Sequence, residues 1–138
     1  RNANANATSG VTGVDLTGKD IAPDGGPANV GRVVYFDFDS YVVKADAQGL
    51  IDGNARFLKA DANRKVVVEG HTDERGGREY NLALGQKRAE AVRRSLNLLG
   101  VQDSQVEAVS FGKEKPAAEG ANEAAYSQNR RAELSYRR

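Results

Sequence analysis

Two residues in this chain are placed to hold opposite charges. Asp73 lies in the run GHTDERGG, and Arg88 follows fifteen positions later in NLALGQKRAEAV. A carboxylate at a strand end can accept bonds from an ammonium group or from backbone donors of the loop. A guanidinium can grip a carboxylate through two parallel N–H bonds, which fixes orientation as well as position. Brought together, the two would hold something small that carries both a positive and a negative charge. They could equally form a salt bridge that ties loop to helix, and spacing leaves that alternative open.

Other residues offer weaker chemistry. Glu74, Arg75, Arg78 and Glu79 crowd the same loop and read as solvent-exposed charges, whose surface pairs contribute little. Gly76 and Gly77 let the loop turn tightly and could present N–H groups to an anion, as any sharp loop might need paired glycine. Asp37 and Asp39, after an earlier strand, could wall the same pocket; as a hydrolase pair or divalent-cation site they lack further ligands. His71 is the single histidine and there is no cysteine. A lone imidazole is a poor ligand set, so His71 reads as structural or pocket-lining, and no metal or cofactor is expected. The arginines of NRRAELSYRR have no basic–aromatic interleaving around them, so nucleic acid is not an expected partner. Arg130 and Arg131 are expected to support the pocket edge or the last strand.

Hydrophobic patterning supplies the elements that must position these residues. Arg32 to Phe36 reads as a strand, rich in β-branched and aromatic residues. Ala47, Leu50, Ile51 and Leu58 recur at helical spacing between about 44 and 60, where Gly49 and Gly53 weaken the helix. Lys65 to Glu69 predicts a buried strand that stops at Gly70. A long amphipathic helix is expected from Arg78 to Leu99, capped by Gly100, with Leu82, Gly85, Ala89, Val92, Leu96 and Leu99 in one stripe. Arg88 falls at the margin of that stripe, which predicts a packed stem with its guanidinium facing the pocket. Gly85 within the stripe predicts a close approach of helix to sheet. Gln105 to Phe111 and Arg131 to Tyr136 read as strands, with a short helix around Glu123 to Gln128 between them. The order predicts an α+β fold: two main helices on one face of a four-stranded mixed sheet, βαβαβ(α)β.

The 138 residues suffice for one domain with a real core. A net charge of +1 singles out neither nucleic acid nor membrane as partner. Nothing approaches the roughly 18 consecutive apolar residues of a membrane span. Residues 1–29 are rich in Asn, Ala, Gly and Thr, with scattered apolar positions, and read as a flexible arm or tether ahead of a domain over 30–138. The chain begins at Arg1 and contains no Met. That predicts a processed or trimmed product, with any signal peptide or lipid-bearing residue upstream.

GHTDERG, followed by Asn81-x-x-Leu84-Gly85-x-x-Arg88-Ala89-x-x-Val92, resembles the OmpA-like peptidoglycan-binding domain. VYFDFDSY and FGKEKPAAEGANEAAYSQNRRAELSY make it similar, within that family, to the peptidoglycan-associated lipoproteins of the Tol–Pal system. The resemblance covers about Val33 to Tyr136. It implies non-covalent binding of the diaminopimelate of a peptidoglycan stem peptide, with Asp73 and Arg88 as the acidic and basic ligand residues. Phe38 and Asp39 fall on the aromatic–acidic loop contact, and Asn81 and Leu84 on the motif Asn and Leu. It further implies TolB and other envelope proteins as partners, and attachment to the outer membrane of a Gram-negative bacterium, on its periplasmic face, through a lipidated Cys upstream of Arg1. The chain without that residue is expected to be soluble.

One departure stands out: the loop reads RGGREYN where similar proteins carry Thr-Pro before the Glu, adding flexibility at Gly77 and a cation at Arg78. Two rival readings remain. One is a cell-wall hydrolase using Asp37, Asp39 or Glu74; the other is a different OmpA-like anchor, such as a porin tail or a motor stator domain.

Overall fold

The computed structural model describes residues 20–136. Four strands, β1 (Val33–Tyr35), β2 (Val66–His71), β3 (Val106–Gly112) and β4 (Arg131–Tyr136), form one sheet in the order β1-β4-β2-β3. β4 lies antiparallel to both neighbours, and β2 and β3 run parallel. Three helices complete the fold: α1 (Gln48–Ala60), preceded by a single 3₁₀ turn, the long α2 (Arg78–Leu98) and the short α3 (Glu123–Asn129). This is the expected α+β architecture.

The alternation of each strand decides what it buries. Val34 from β1, Val66 and Val68 from β2, and Ala132, Leu134 and Tyr136 from β4 join Ile51, Phe57 and Leu58 of α1 in one core. From α2 come Ala89, Val92 and Leu96. Phe57 meets Tyr136 edge to face with ring centroids 5.5 Å apart, a favoured aromatic geometry. The Tyr136 hydroxyl donates to Asn54 Oδ1 at 2.6 Å, so the polar tip of this buried ring is satisfied.

Two expectations change. β2 does not stop at Gly70 but runs through it to His71, with a register irregularity between the two. Glycine serves there for packing: a Cβ on Gly70 would fall inside van der Waals contact of the Gly85 carbonyl oxygen, so α2 descends onto the sheet at this point. The buried face of α2 is also rotated from the apolar stripe. It comprises Asn81, Leu84, Gly85, Arg88, Ala89, Val92 and Leu96, while Leu82 is only half-buried. Arg88 therefore lies inside that face and not at its margin.

Part of the segment expected to be an arm, residues 20–29, is folded against the domain. Residues 20–29 fold back on themselves: Ala28 N donates to the Asp20 carbonyl at 2.8 Å and Ile21 pairs with Pro27. Ile21 packs on the core, and Asp24 forms an ion pair with Arg32 at 2.9 Å. Local turn bonds and one apolar anchor order this stretch where periodicity gave no signal. Residues 1–19, the rest of the expected arm, lie outside the described residues.

Candidate functional site

At the C-terminal end of β2 the chain turns through Thr72 and Asp73 into a charged loop and then into α2. The loop after β1 (residues 36–40) comes to the same end of the sheet, because β1 and β2 flank β4 in the same orientation. Between them lies a cleft of about 270 Å³. Phe38, Asp39, Asp73, Asn81, Leu84 and Arg88, the six residues expected to form a site, all line it. Asp37, offered as a second wall, does not; its carboxylate is exposed and pairs with Lys44 at 3.0 Å. A larger hollow of about 490 Å³ at the opposite end of the sheet contains none of the expected residues.

Arg88 rises from the buried face of α2 and is 1% exposed. Its Nε donates to the Ser40 carbonyl at 2.8 Å, Nη1 to the His71 carbonyl at 2.9 Å and Nη2 to the Asp37 carbonyl at 3.1 Å. The side chain thus clamps the β1–α1 loop to the end of β2. Three of its five N–H groups are used, leaving one on each terminal nitrogen. Burial lowers its pKa to about 10, although the Asp73 charge works against that shift. Among the described residues Arg88 forms no ion pair. The direct Asp73–Arg88 bridge, open as an alternative from the sequence, is not formed.

Asp73 pairs elsewhere. Oδ1 accepts from Arg75 N at 3.0 Å and from Arg75 Nε at 3.2 Å, while Oδ2 accepts from Arg75 Nη2 at 2.7 Å. Arg130 Nη1 stands 3.6 Å from Oδ2. Burial pushes the Asp73 carboxyl up, but the Arg75 bonds and the two positive charges outweigh this and hold it below its ordinary value. Arg130 is buried at the pocket edge, donating to the Phe36 carbonyl at 3.0 Å and pairing with Glu123 at 2.7 Å.

The rim is aromatic. Phe38 is 61% and Tyr80 57% exposed, well above what a sealed core allows. Asp39, in the left-handed region with φ of 55°, accepts a short bond from the Tyr80 hydroxyl. Asn81 is buried and donates to the Arg75 carbonyl at 2.9 Å, shaping the loop over the cleft. His71 faces the other side of the sheet. It is buried, stacks on Phe111 with centroids 5.5 Å apart, and neither ring nitrogen has a hydrogen-bond partner. Burial, reinforced by the nearby Arg131 charge, lowers its pKa to about 4. His71 therefore contributes its carbonyl to the site and not its imidazole.

Arg75 and Tyr126 are the participants that sequence reasoning missed. The Arg75 guanidinium lies between the Phe38 and Tyr126 rings, 4.2 and 4.3 Å from their centroids. In the sequence Arg75 is one charge among several in the loop, and only its position two residues after Asp73 signals the pair.

Residues 35–130 match the OmpA family. The peptidoglycan-associated lipoprotein of Pasteurella multocida is 56% identical over 105 residues, covering 76% of this chain and 70% of that protein. That of Pseudomonas putida is 54% identical over 100 residues, covering 72% of this chain and 60% of that protein. The crystal structure of the peptidoglycan-associated lipoprotein from Burkholderia pseudomallei superposes with a TM-score of 0.76 at 61% identity, over 77% of this chain and 90% of that one. The C-terminal domain of Helicobacter pylori MotB has the same fold, with a TM-score of 0.69 at 22% identity over 76% of this chain and 82% of that one.

Proposed function

The chain belongs to the OmpA family, and from that premise we propose that its cleft binds peptidoglycan non-covalently, without catalysis, through the diaminopimelate of a stem peptide. The observation that carries this reading is the state of Arg88: a guanidinium buried to 1% exposure whose bonds all go to neutral carbonyls. A buried charge without a counter-ion is unfavourable, and a ligand carboxylate in the cleft would relieve it. The far end of diaminopimelate is a zwitterion. Its carboxylate can take the two remaining N–H groups of Arg88 and its ammonium the Asp73 carboxylate, while Asn81, Leu84, Phe38 and Asp39 enclose the chain between them.

In this reading the domain is one end of an envelope anchor of a Gram-negative bacterium. The peptidoglycan-associated lipoproteins it resembles suggest a lipid on an upstream Cys, held in the outer membrane, and the Tol–Pal proteins, TolB among them, as partners. Two modest attachments joined by a linker gain from effective concentration, so the stem-peptide contact alone need not be tight.

Co-sedimentation with purified peptidoglycan tests the reading. Asp73→Asn keeps the shape of the side chain and removes the charge, and it should leave the protein in the supernatant with its circular dichroism unchanged. Retention of wall binding by Asp73→Asn would sink the assignment. Release of soluble muropeptides by the unaltered protein would instead favour the hydrolase reading.

A further inference from the structure

The carboxylate assigned to the ligand's ammonium is not empty in the free protein. Arg75 supplies it with three bonds, two from the guanidinium and one from the backbone, and a carboxylate offers about four acceptor positions. Little of Asp73 remains for an incoming amine unless the guanidinium gives way. Arg75 is also held in a way that lets it shift without leaving. Its guanidinium stacks on both Phe38 and Tyr126, while among the described residues Nη1 forms no hydrogen bond, and the side chain, 39% exposed, lines the cleft. Tyr126 is delivered by α3, which also carries the Glu123 that pairs with Arg130 beside Asp73.

Resting on the peptidoglycan reading above, we propose that Arg75 is the selectivity determinant of the site. It is the resident cation of the ammonium position, and binding is an exchange of ion pairs. The ligand's ammonium takes over the Asp73 oxygens, and the guanidinium, sliding between its two rings, re-pairs with the carboxylate that the same ligand carbon carries. A zwitterionic end offers a partner for each charge it separates. A simple amine, such as the lysine of other stem peptides, evicts Arg75 and offers it nothing. Discrimination therefore arises from the cost of stranding Arg75, in addition to the carboxylate contact at Arg88.

Calorimetric titration of two stem tetrapeptides, one with meso-diaminopimelate and one with lysine at the third position, separates the possibilities. The unaltered protein should prefer the diaminopimelate peptide strongly. In Arg75→Met, which keeps a stacking stem without charge, the ratio of the two affinities should shrink by about ten-fold or more, the equivalent of one charge-assisted hydrogen bond, chiefly through tighter binding of the lysine peptide. A ratio within two-fold of the unaltered protein's overturns the role of Arg75, as does an equal gain for both peptides, which would make Arg75 a plain competitor. Should Arg75→Met fail to fold, judged by thermal unfolding, Arg75→Gln carries the test: it removes the charge and keeps a polar stem, and a ratio unchanged from the parent's overturns the proposal. Binding of neither peptide by the unaltered protein removes the peptidoglycan reading itself and this inference with it.

Discussion

Gly70 of β2 and Gly85 of α2 pass each other with no room for a side chain on the strand residue, since a Cβ on Gly70 would collide with the Gly85 carbonyl oxygen. That oxygen is helix backbone and cannot rotate aside. The contact seats α2 on the sheet one helical turn before Arg88 and one residue before His71, so it sets the depth at which the guanidinium meets the end of β2. Gly70→Ala should therefore cost more than the roughly 1–3 kcal/mol of ordinary overpacking. Gly85→Ala, whose new methyl group meets the Ser110 hydroxyl first, should cost less. Denaturant unfolding of both variants checks the order, and a Gly70→Ala protein as stable as its parent would contradict the close approach.

Arg88→Lys tests the clamp. An ammonium can reach one of the three carbonyls now served by the guanidinium and gives up the other two charge-assisted bonds. A residue at the margin of the buried face would lose binding alone on replacement by lysine; Arg88 lies inside that face. The structure predicts a loss of about 2–4 kcal/mol of stability as well. Equilibrium unfolding in urea measures it; a change below about 0.5 kcal/mol would mean the loop is held by something else.

His71 makes the domain sensitive to acid. Its folded pKa of about 4 lies below the 6.5 of a free imidazole, so between those values the unfolded chain binds more protons than the folded one. Stability contributed by the neutral ring is fully present above about pH 6.5 and is lost as pH falls towards 4, by up to roughly 3 kcal/mol. Lys115 and Arg131 disfavour the protonated ring and Glu133 favours it, so neighbouring charges partly cancel and burial dominates. Since neither nitrogen is bonded, His71→Phe should fold, keep the Phe111 stack and flatten the stability profile between pH 6.5 and 4. An unchanged slope in thermal melts across that range would assign it to other groups.

The start of α2 is poorly capped. Gly77 stands at the N-cap with φ −75° and ψ 162°, no side-chain bond, and open space where a side chain would go. Gly77→Ser should add roughly a few tenths of a kcal/mol by accepting a bond from the first turn. Arg78 places a cation in that turn, where the helix dipole disfavours it, and its 3.4 Å pair with Glu114 is exposed. Arg78→Pro suits the first helical position and should raise the melting temperature further. A fall in melting temperature for either variant would show that the loop needs its present backbone freedom.

Much of this was legible in the sequence because apolar periodicity and strand composition report burial. β4, α3 and the limits of α2 lie within a residue or so of the expected ones, and Gly85 within the stripe announced the close approach. What escaped were polar residues with buried roles. Arg88 counts against an apolar stripe, whereas carbonyls from the β1–α1 loop and from the end of β2 converge on its guanidinium. Gln105, buried with its amide donating to the carbonyls of Leu58, Asp61 and Arg64, left no periodic signal for the same reason. Arg75 pairs with Asp73 through a local turn but stacks on rings from residues 38 and 126, and no local pattern encodes that meeting.

The fold also sets the start of the described chain and the cleft at opposite ends of β1. Gly26 abuts Tyr136, at the end of β4 remote from the cleft, and from there the backbone runs along β1 directly into the loop that bears Phe38 and Asp39. A pull between Asp20 and a body held in the cleft is thus carried lengthwise by β1. The three residues of that strand lie antiparallel to β4, flanked by the Leu134 N to Arg32 carbonyl bond at 2.8 Å and the Phe36 N to Arg130 carbonyl bond at 2.9 Å. Loaded in that direction, these bonds share the force in shear and must fail together, instead of opening one after another like a zip. The short edge strand lies on that line, between the start of the described chain and the cleft.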